Sequence, residues 1–275
     1  MVDAAGAAPD MDTIKAKMKS TWSAGDFGKI AVIIDAAGDE FIDRLGIKEG
    51  ERVLDVACGT GNLAIPAARS GGVVTGIDIA PNLVEQARER AGAEGLDCKF
   101  EEGDAEDMPY GDGSFDTVMT MFGAMFAPRP DVTAKELLRV CRSGGRIAMA
   151  NWTPTGFAGQ MFKTSGKHFP PPPGISPPVL WGDEETVRSR LGDGIADLKM
   201  TRQPVIFKFP FDPAGVVQHF REYFGPTKVA FANLEPDAQA AMQADLERLW
   251  TENNRATDGT TEVESEYLEV IAIRA

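Results

Sequence analysis

From residue 51 to residue 151 the chain alternates short apolar runs with stretches of helical periodicity. Residues 52–57 (RVLDVA) form a run interrupted only by Asp55, the pattern of a buried strand. Residues 73–78 (VVTGID), 99–103, 115–121 (FDTVMTM) and 145–151 (GRIAMAN) read as four further strands. Between them residues 61–69, 81–93 and 132–141 carry helical spacing, with Pro81 early in its helix, where a missing N–H costs little. Strands alternating with helices predict right-handed crossovers and a parallel, doubly wound α/β sheet. Pro66 falls inside the first of these helices, beyond the turn where proline is harmless. It should kink that helix or shift its start, at a cost of up to ~3 kcal/mol.

After residue 151 the pattern changes. Residues 156–167 look helical, and the prolines between 170 and 178 then predict a stiff extended segment ending at Trp181. Asp183 is suited to cap a short helix running to Leu191. Residues 198–209 and 266–274 read as strands, with helical stretches at 213–224 and 236–254 between them. Four regions follow: an N-terminal tail and helical lid over 1–50, a core over 51–209, an inserted helical cap over 210–262 above the sheet's carboxyl edge, and a last core strand over 263–275. The first ten residues have neither a basic region nor an apolar core, so they read as a short flexible tail and not as a signal peptide.

Composition narrows the partners. The chain has 275 residues, 28 Lys+Arg against 42 Asp+Glu, and a net charge of −14. No basic cluster offsets this excess, so nucleic acid and anionic membranes are excluded as expected partners. More than half of the charge comes from residues 233–269, which read as a solvated acidic face. Three widely spaced cysteines, Cys58, Cys98 and Cys141, suit a reducing cytoplasm, and neither a disulfide framework nor a metal site is expected.

The informative segment is residues 53–61 (VLDVACGTG), a buried strand running through a Gly-x-Gly turn into a helix. Ligands of open α/β sheets bind outside the carboxyl ends of the strands, where this turn lies. Gly59 and Gly61 permit close backbone approach, and the helix N-terminus offers N–H groups to an anion. Gly59-x-Gly61-x-x-Ala64 also satisfies a loose dinucleotide fingerprint. Asp55 separates the readings: it would repel a pyrophosphate but suits a ligand with an amino group. S-adenosylmethionine has an amino group, a carboxylate and a sulfonium. Asp78, ending the second strand, can accept from both ribose hydroxyls, and Asp104, ending the third, lies where an adenine edge would fall, with Ala105 adding backbone. As isolated residues, Asp78 and Asp104 read better as a helix cap and a turn acid; three acids at successive strand ends beside the glycine turn reverse that preference.

These segments resemble the class I S-adenosylmethionine-dependent methyltransferases, most closely the ubiquinone/menaquinone-biosynthesis (methyltransferase type 11) branch. Residues 53–61, 75–80 (TGIDIA), 102–109 (EGDAEDMP), 114–118 (SFDTV) and 138–149 (LRVCRSGGRIAM) match in order. The resemblance implies a Rossmann-like seven-stranded sheet, mostly parallel with one antiparallel strand, and helices on both faces. It implies cofactor contacts at Asp55, Ala57, Gly59, Thr60, Gly61, Asp78, Ile79, Asp104, Ala105, Thr120 and Met121, with S-adenosylhomocysteine as product. It is weak after residue 151. The His pair that quinone-related members often carry after the fourth strand is replaced here by residues 121–126 (MFGAMF).

The expected reaction is methyl transfer by in-line displacement to a small, apolar or planar metabolite. His168 and His219 are the candidate bases, needed only if the acceptor must lose a proton. Phe122, Met125, Phe126 and Trp152 follow strands four and five; with Trp181, Tyr223 and Phe224 they are the candidate acceptor contacts, and plain core packing is the competing reading for each. Trp22 and Phe27 are assigned to a lid over the cofactor. Asp104 with Asp107 suggests a cation site, but no third ligand accompanies them. An NAD-dependent oxidoreductase and a non-catalytic S-adenosylmethionine-binding protein remain as alternatives. The inserted helices serve either as a cap or as a homodimer contact.

Overall fold

The computed structural model describes residues 10–275; the rest of the expected N-terminal tail, residues 1–9, lies outside them. Seven strands form one sheet in the order β3-β2-β1-β4-β5-β7-β6. They are β1 (Arg52–Val56), β2 (Val73–Asp78), β3 (Lys99–Glu102), β4 (Phe115–Met121), β5 (Cys141–Trp152), β6 (Ile195–Phe209) and β7 (Thr261–Arg274). The pairs β2·β3, β1·β2, β1·β4 and β4·β5 are parallel, and β7 runs antiparallel to both of its neighbours. The expected mostly parallel sheet with one antiparallel strand near its edge is therefore present.

Helices α1 (Met11–Ser23), α2 (Phe27–Ala31) and α3 (Asp35–Leu45) precede the sheet. The crossovers carry α4 (Ala64–Arg69), α5 (Pro81–Ala93) and α6 (Pro130–Val140). Because α4 starts at Ala64, Pro66 is its third residue, within the first turn, where no intrahelical N–H partner is lost. The local conflict is thus resolved by a shifted start and not by a kink.

Helix α7 (Phe157–His168) follows β5, and the Asp183 carboxylate caps α8 (Glu184–Leu191) by accepting from the Thr186 N–H. Between β6 and β7 lie α9 (Pro213–Tyr223), α10 (Gly225–Asn233) and α11 (Pro236–Asn253). The sequence pattern shows two helices there; Gly225 and Pro226 start a third after a break of one residue. One continuous core joins both sides of the sheet to the inserted helices, including Val118, Ile147, Val216, Phe220 and Trp250.

The acidic stretch departs from expectation. Five of its carboxylates are paired: Asp245 with His168 and Arg248, Glu262 with Lys208, Glu264 with Arg255, Glu266 with Arg202, and Glu269 with Arg44. Only part of it is a solvated face, because β7 begins five residues earlier than its apolar run and turns alternate glutamates toward cross-strand cations.

Candidate functional site

The carboxyl ends of β1, β2 and β4 open onto a cavity of about 850 Å³, roofed by Met18, Trp22 and Phe27 of the N-terminal helices. The Gly-x-Gly turn is held from beneath. The Asp78 carboxylate accepts from the N–H of Gly59 at 2.8 Å and of Ala80 at 2.9 Å, and Asp55 accepts from the Ala64 N–H at 3.0 Å. Gly59 has φ +53°, and at Gly123 a Cβ would stand 2.4 Å from the Ala57 carbonyl oxygen. The turns ending β1 and β4 therefore meet through a residue without a side chain.

Asp55 and Asp78 are both buried. Burial pushes the Asp55 carboxyl well above the usual carboxylate range; the Ala64 N–H opposes this and the Asp78 charge adds to it. Burial likewise raises Asp78, against the hydrogen bonds it accepts. Asp104 accepts from the Glu106 N–H at 2.8 Å, and the Lys15 ammonium of α1 stands 2.5 Å from Asp104 and 2.8 Å from Glu106. Burial works against the charge on Lys15, but the hydrogen bonds of the two carboxylates outweigh it and hold its pKa above the ordinary value. Arg129 closes the cluster on Glu106 at 2.8 Å, and Lys19 pairs with Glu102. Three carboxylates line the cavity and no Lys, Arg or His does.

Of the thirteen cofactor candidates, only Thr60, Gly61 and Thr120 do not line this cavity. The Thr60 hydroxyl bonds Asn62 and Arg90, Gly61 closes the turn onto the Cys58 carbonyl, and the Thr120 hydroxyl accepts from the Ala124 N–H. All three bond within the loops and do not line the cavity. Asn62 lines the cavity and was not among the candidates; its amide donates to Asp35 at 2.6 Å and to the Ala31 carbonyl, tying the glycine turn to the N-terminal segment.

A second cavity, about 490 Å³, adjoins the first and shares Trp22, Phe27, Ile34, Phe122 and Phe126 with it. Its remaining walls come from α7 (Ala158, Met161, Phe162), from the inserted helices (Phe220, Phe224), from Ile30 and Ile33, and from Trp152 and Phe207. No lining side chain is acidic, basic, hydroxylic or amidic. Phe122 holds a positive φ of 56°, unusual for a bulky residue, and its ring stacks on Trp152 with centroids 3.6 Å apart. Trp22 contacts Phe126 at 5.1 Å and Phe224 at 5.7 Å, so lid and inserted helices meet over the boundary between the cavities.

Of the seven acceptor candidates, Phe122, Phe126, Trp152 and Phe224 line this chamber. Met125 is 2% exposed and packs in the core, Trp181 lies beneath the Arg190 guanidinium, and Tyr223 packs beside the His219 ring. These three do not reach it. Neither candidate base reaches either cavity. His168 Nε2 lies 2.9 Å from Asp245 between α7 and α11, and His219 Nε2 lies 3.1 Å from the Lys29 carbonyl oxygen among aromatic rings. Both are packing and pairing residues in this fold. Phe220, which the sequence offers as part of an apolar cap, lines the chamber, and so does Phe207, which reads there as strand packing. Met161 and Phe162 were not singled out from the sequence; with Ala158 they hold the i, i+3 and i+4 positions of α7, a spacing that also describes ordinary core packing. Among the described residues no group of three or more His, Cys, Asp or Glu is placed to hold a metal ion. Among them also, no helix is long and apolar enough to cross a membrane.

This architecture and its acid-lined cleft define a class of transferase. Residues 53–145 match the methyltransferase-domain family model. The chain carries a methyltransferase domain of the class I, S-adenosylmethionine-dependent kind. An uncharacterized protein of Mycobacterium tuberculosis is 38% identical over 93% of this chain and 93% of its own length. The demethylmenaquinone methyltransferase of Deinococcus radiodurans is 40% identical over 44% of this chain and 52% of its own. Among solved structures, the phosphoethanolamine N-methyltransferase 2 of Haemonchus contortus, in complex with S-adenosyl-L-methionine, shares the fold with a TM-score of 0.55 at 18% identity, over 87% of this chain and 52% of that one. The methyltransferase domain makes the protein an enzyme of S-adenosylmethionine-dependent methyl transfer.

Proposed function

We propose that the acid-lined cavity takes the methyl donor and the adjoining chamber takes a small, apolar or planar acceptor. The observation that carries this reading is the contrast between the two spaces, one lined by three carboxylates of which only Asp104 is paired, with Lys15, the other lined by aliphatic and aromatic side chains with no charged group. The donor set fits S-adenosylmethionine. Asp55 suits its ammonium, because a buried, uncompensated carboxylate gains most from an opposite charge. Asp78 accepts one N–H on each oxygen, from Gly59 of the glycine turn and from Ala80 of the loop after β2, and a carboxylate has about four acceptor positions, which leaves capacity for two ribose hydroxyls. Asp104 has the same spare capacity for an adenine amino group.

When bound, the sulfonium supplies an already activated methyl group. The chain's residues then have to align the acceptor and exclude water, and positioning of this kind is worth ~7–11 kcal/mol. Trp22 and Phe27 form the roof over both spaces, and the Phe122 and Trp152 rings bound the chamber on the sheet side. Calorimetric titration with S-adenosylmethionine, its demethylated product and NAD tests the donor assignment. Binding of the first two and not the third is expected; NAD binding alone would overturn it. Mass spectrometry of a metabolite pool incubated with enzyme and donor would reveal which apolar molecules gain a methyl group.

A further inference from the structure

The apolar chamber has a consequence for the chemistry of its occupant. An acceptor atom that must lose a proton needs a base, and no lining side chain can serve as one. His168 is held by Asp245 and His219 packs by the Lys29 carbonyl, both outside the chamber. The acids Asp55, Asp78 and Asp104 line only the donor cavity. We infer, resting on the donor assignment above, that the acceptor is an apolar thiol, bound as the thiolate that water has already produced.

Three physical arguments select this class. An amine would give a methylated ammonium inside a chamber with no counter-charge, and a buried unpaired ion is strongly disfavoured. An ordinary phenol, with pKa near 10, is only about 0.1% ionised at pH 7, whereas a thiol near 8.5 is about 3% ionised. A carbon acceptor with a C–H to remove again requires a base. A thiolate is a large, polarisable anion whose desolvation costs less than that of a smaller oxyanion, and a donor bound in the adjoining cavity would supply the opposite charge that offsets that cost.

The balance is simple. The thiol proton goes to bulk water before binding. A sulfur lone pair forms the new bond to the methyl carbon, and the old carbon–sulfur bond breaks with its electron pair left on the donor sulfur. Two opposite charges disappear, so both products are neutral thioethers and nothing charged remains in the chamber. The aromatic walls set the shape: Phe122, Phe126, Trp152 and Phe224 favour a flat or compact hydrocarbon body.

The test uses the full chain and thiophenol as probe. Binding is read from the fluorescence of Trp22 and Trp152, first with the neutral demethylated product in the donor cavity and then with a cationic, non-transferring amine analogue of the donor. Thiophenolate should bind at least tenfold more tightly beside the cation, while toluene should bind equally in both cases. Equal thiophenol affinity in both states would overturn the inference. In turnover, the pH midpoint of kcat/KM should follow the acidity of each thiol in a ring-substituted series. A midpoint that stays fixed across the series, or faster methylation of phenol than of thiophenol, would point to a protein base, and faster methylation of aniline would show that the chamber accepts a cationic product; each would overturn the inference. If neither donor analogue binds, the donor assignment fails first, which is a separate result.

Discussion

The ring of Phe122 lies parallel to that of Trp152, 3.6 Å between centroids and 5° between planes. Trp152 ends β5 and Phe122 directly follows the adjacent parallel strand β4, so the stack fixes the floor on which an acceptor would rest. Phe122→Leu keeps an apolar surface but removes the stack, which is worth about 0.5–1.5 kcal/mol. Thermal denaturation should show that loss. Steady-state kinetics should show acceptor KM rising by about tenfold, as expected for a misfit in an apolar pocket, with donor affinity changed far less.

Asp55 should govern donor binding. Its carboxyl is raised by burial, so it must release a proton, or be held ionised, to pair with an ammonium. Donor affinity should therefore fall as pH falls through that raised value, and binding near it should release protons, measurable by calorimetry in buffers of different ionisation enthalpy. Asp55→Asn should weaken donor binding by about 1.5–3 kcal/mol, the range for a charged hydrogen bond, and abolish the proton release. An unchanged dissociation constant in the variant would remove Asp55 from the donor site.

Lys15 ties α1 to Asp104 and to the fully buried Glu106 carboxylate. Lys15→Met should leave those acids facing one another with Arg129 as the remaining cation, at a cost of about 1–3 kcal/mol. Limited proteolysis within residues 11–26 should accelerate, and donor affinity should drop. Wild-type protein should show part of the same effect at high salt, to the extent that screening reaches this part-buried cluster.

His168 lies outside both cavities, so His168→Gln should keep kcat within about twofold of wild type. Its partner Asp245 is held below the usual carboxylate value by the His168 hydrogen bond first and by Arg248 second. A depressed carboxylate contributes stability that is present above its unfolded pKa of ~3.9 and is lost as pH falls below it. The variant should therefore flatten the acid limb of the stability curve, seen by chemical unfolding between pH 5 and about pH 3. A large loss of kcat would instead give His168 a part in the reaction.

β1, β2 and β4 and the second half of β5 were readable as mostly apolar runs, whereas β3, with Phe100 as its single apolar residue, was the faintest of the five. The start of β7 was hidden by Glu262, Glu264 and Glu266, which alternate outward and meet Lys208, Arg255 and Arg202. Helix α10 was hidden because a single residue, Phe224, separates it from α9. At the site, position along the β-strands located Asp55, Asp78 and Asp104, since strand ends and site coincide in this fold. The histidines had only residue type to recommend them, and type carries no address. The chamber's α7 and inserted-helix walls are spread over distant segments whose spacing is that of any buried helix face, so only the folded chain brings them together.

The N-terminal segment meets the inserted helices through two glycines. A Cβ on Gly25 would stand 2.1 Å from the Tyr223 carbonyl oxygen, a Cβ on Gly225 would stand 2.1 Å from the Thr21 carbonyl oxygen, and the Asp26 N–H donates to Tyr223 at 2.9 Å. Two backbones in such contact travel as one piece. Trp22 and Phe27 sit beside that joint and cover both cavities. A single door would thus serve two rooms: a movement that admitted or discharged one ligand would uncover the other, so entry and exit of the pair would share one kinetic step.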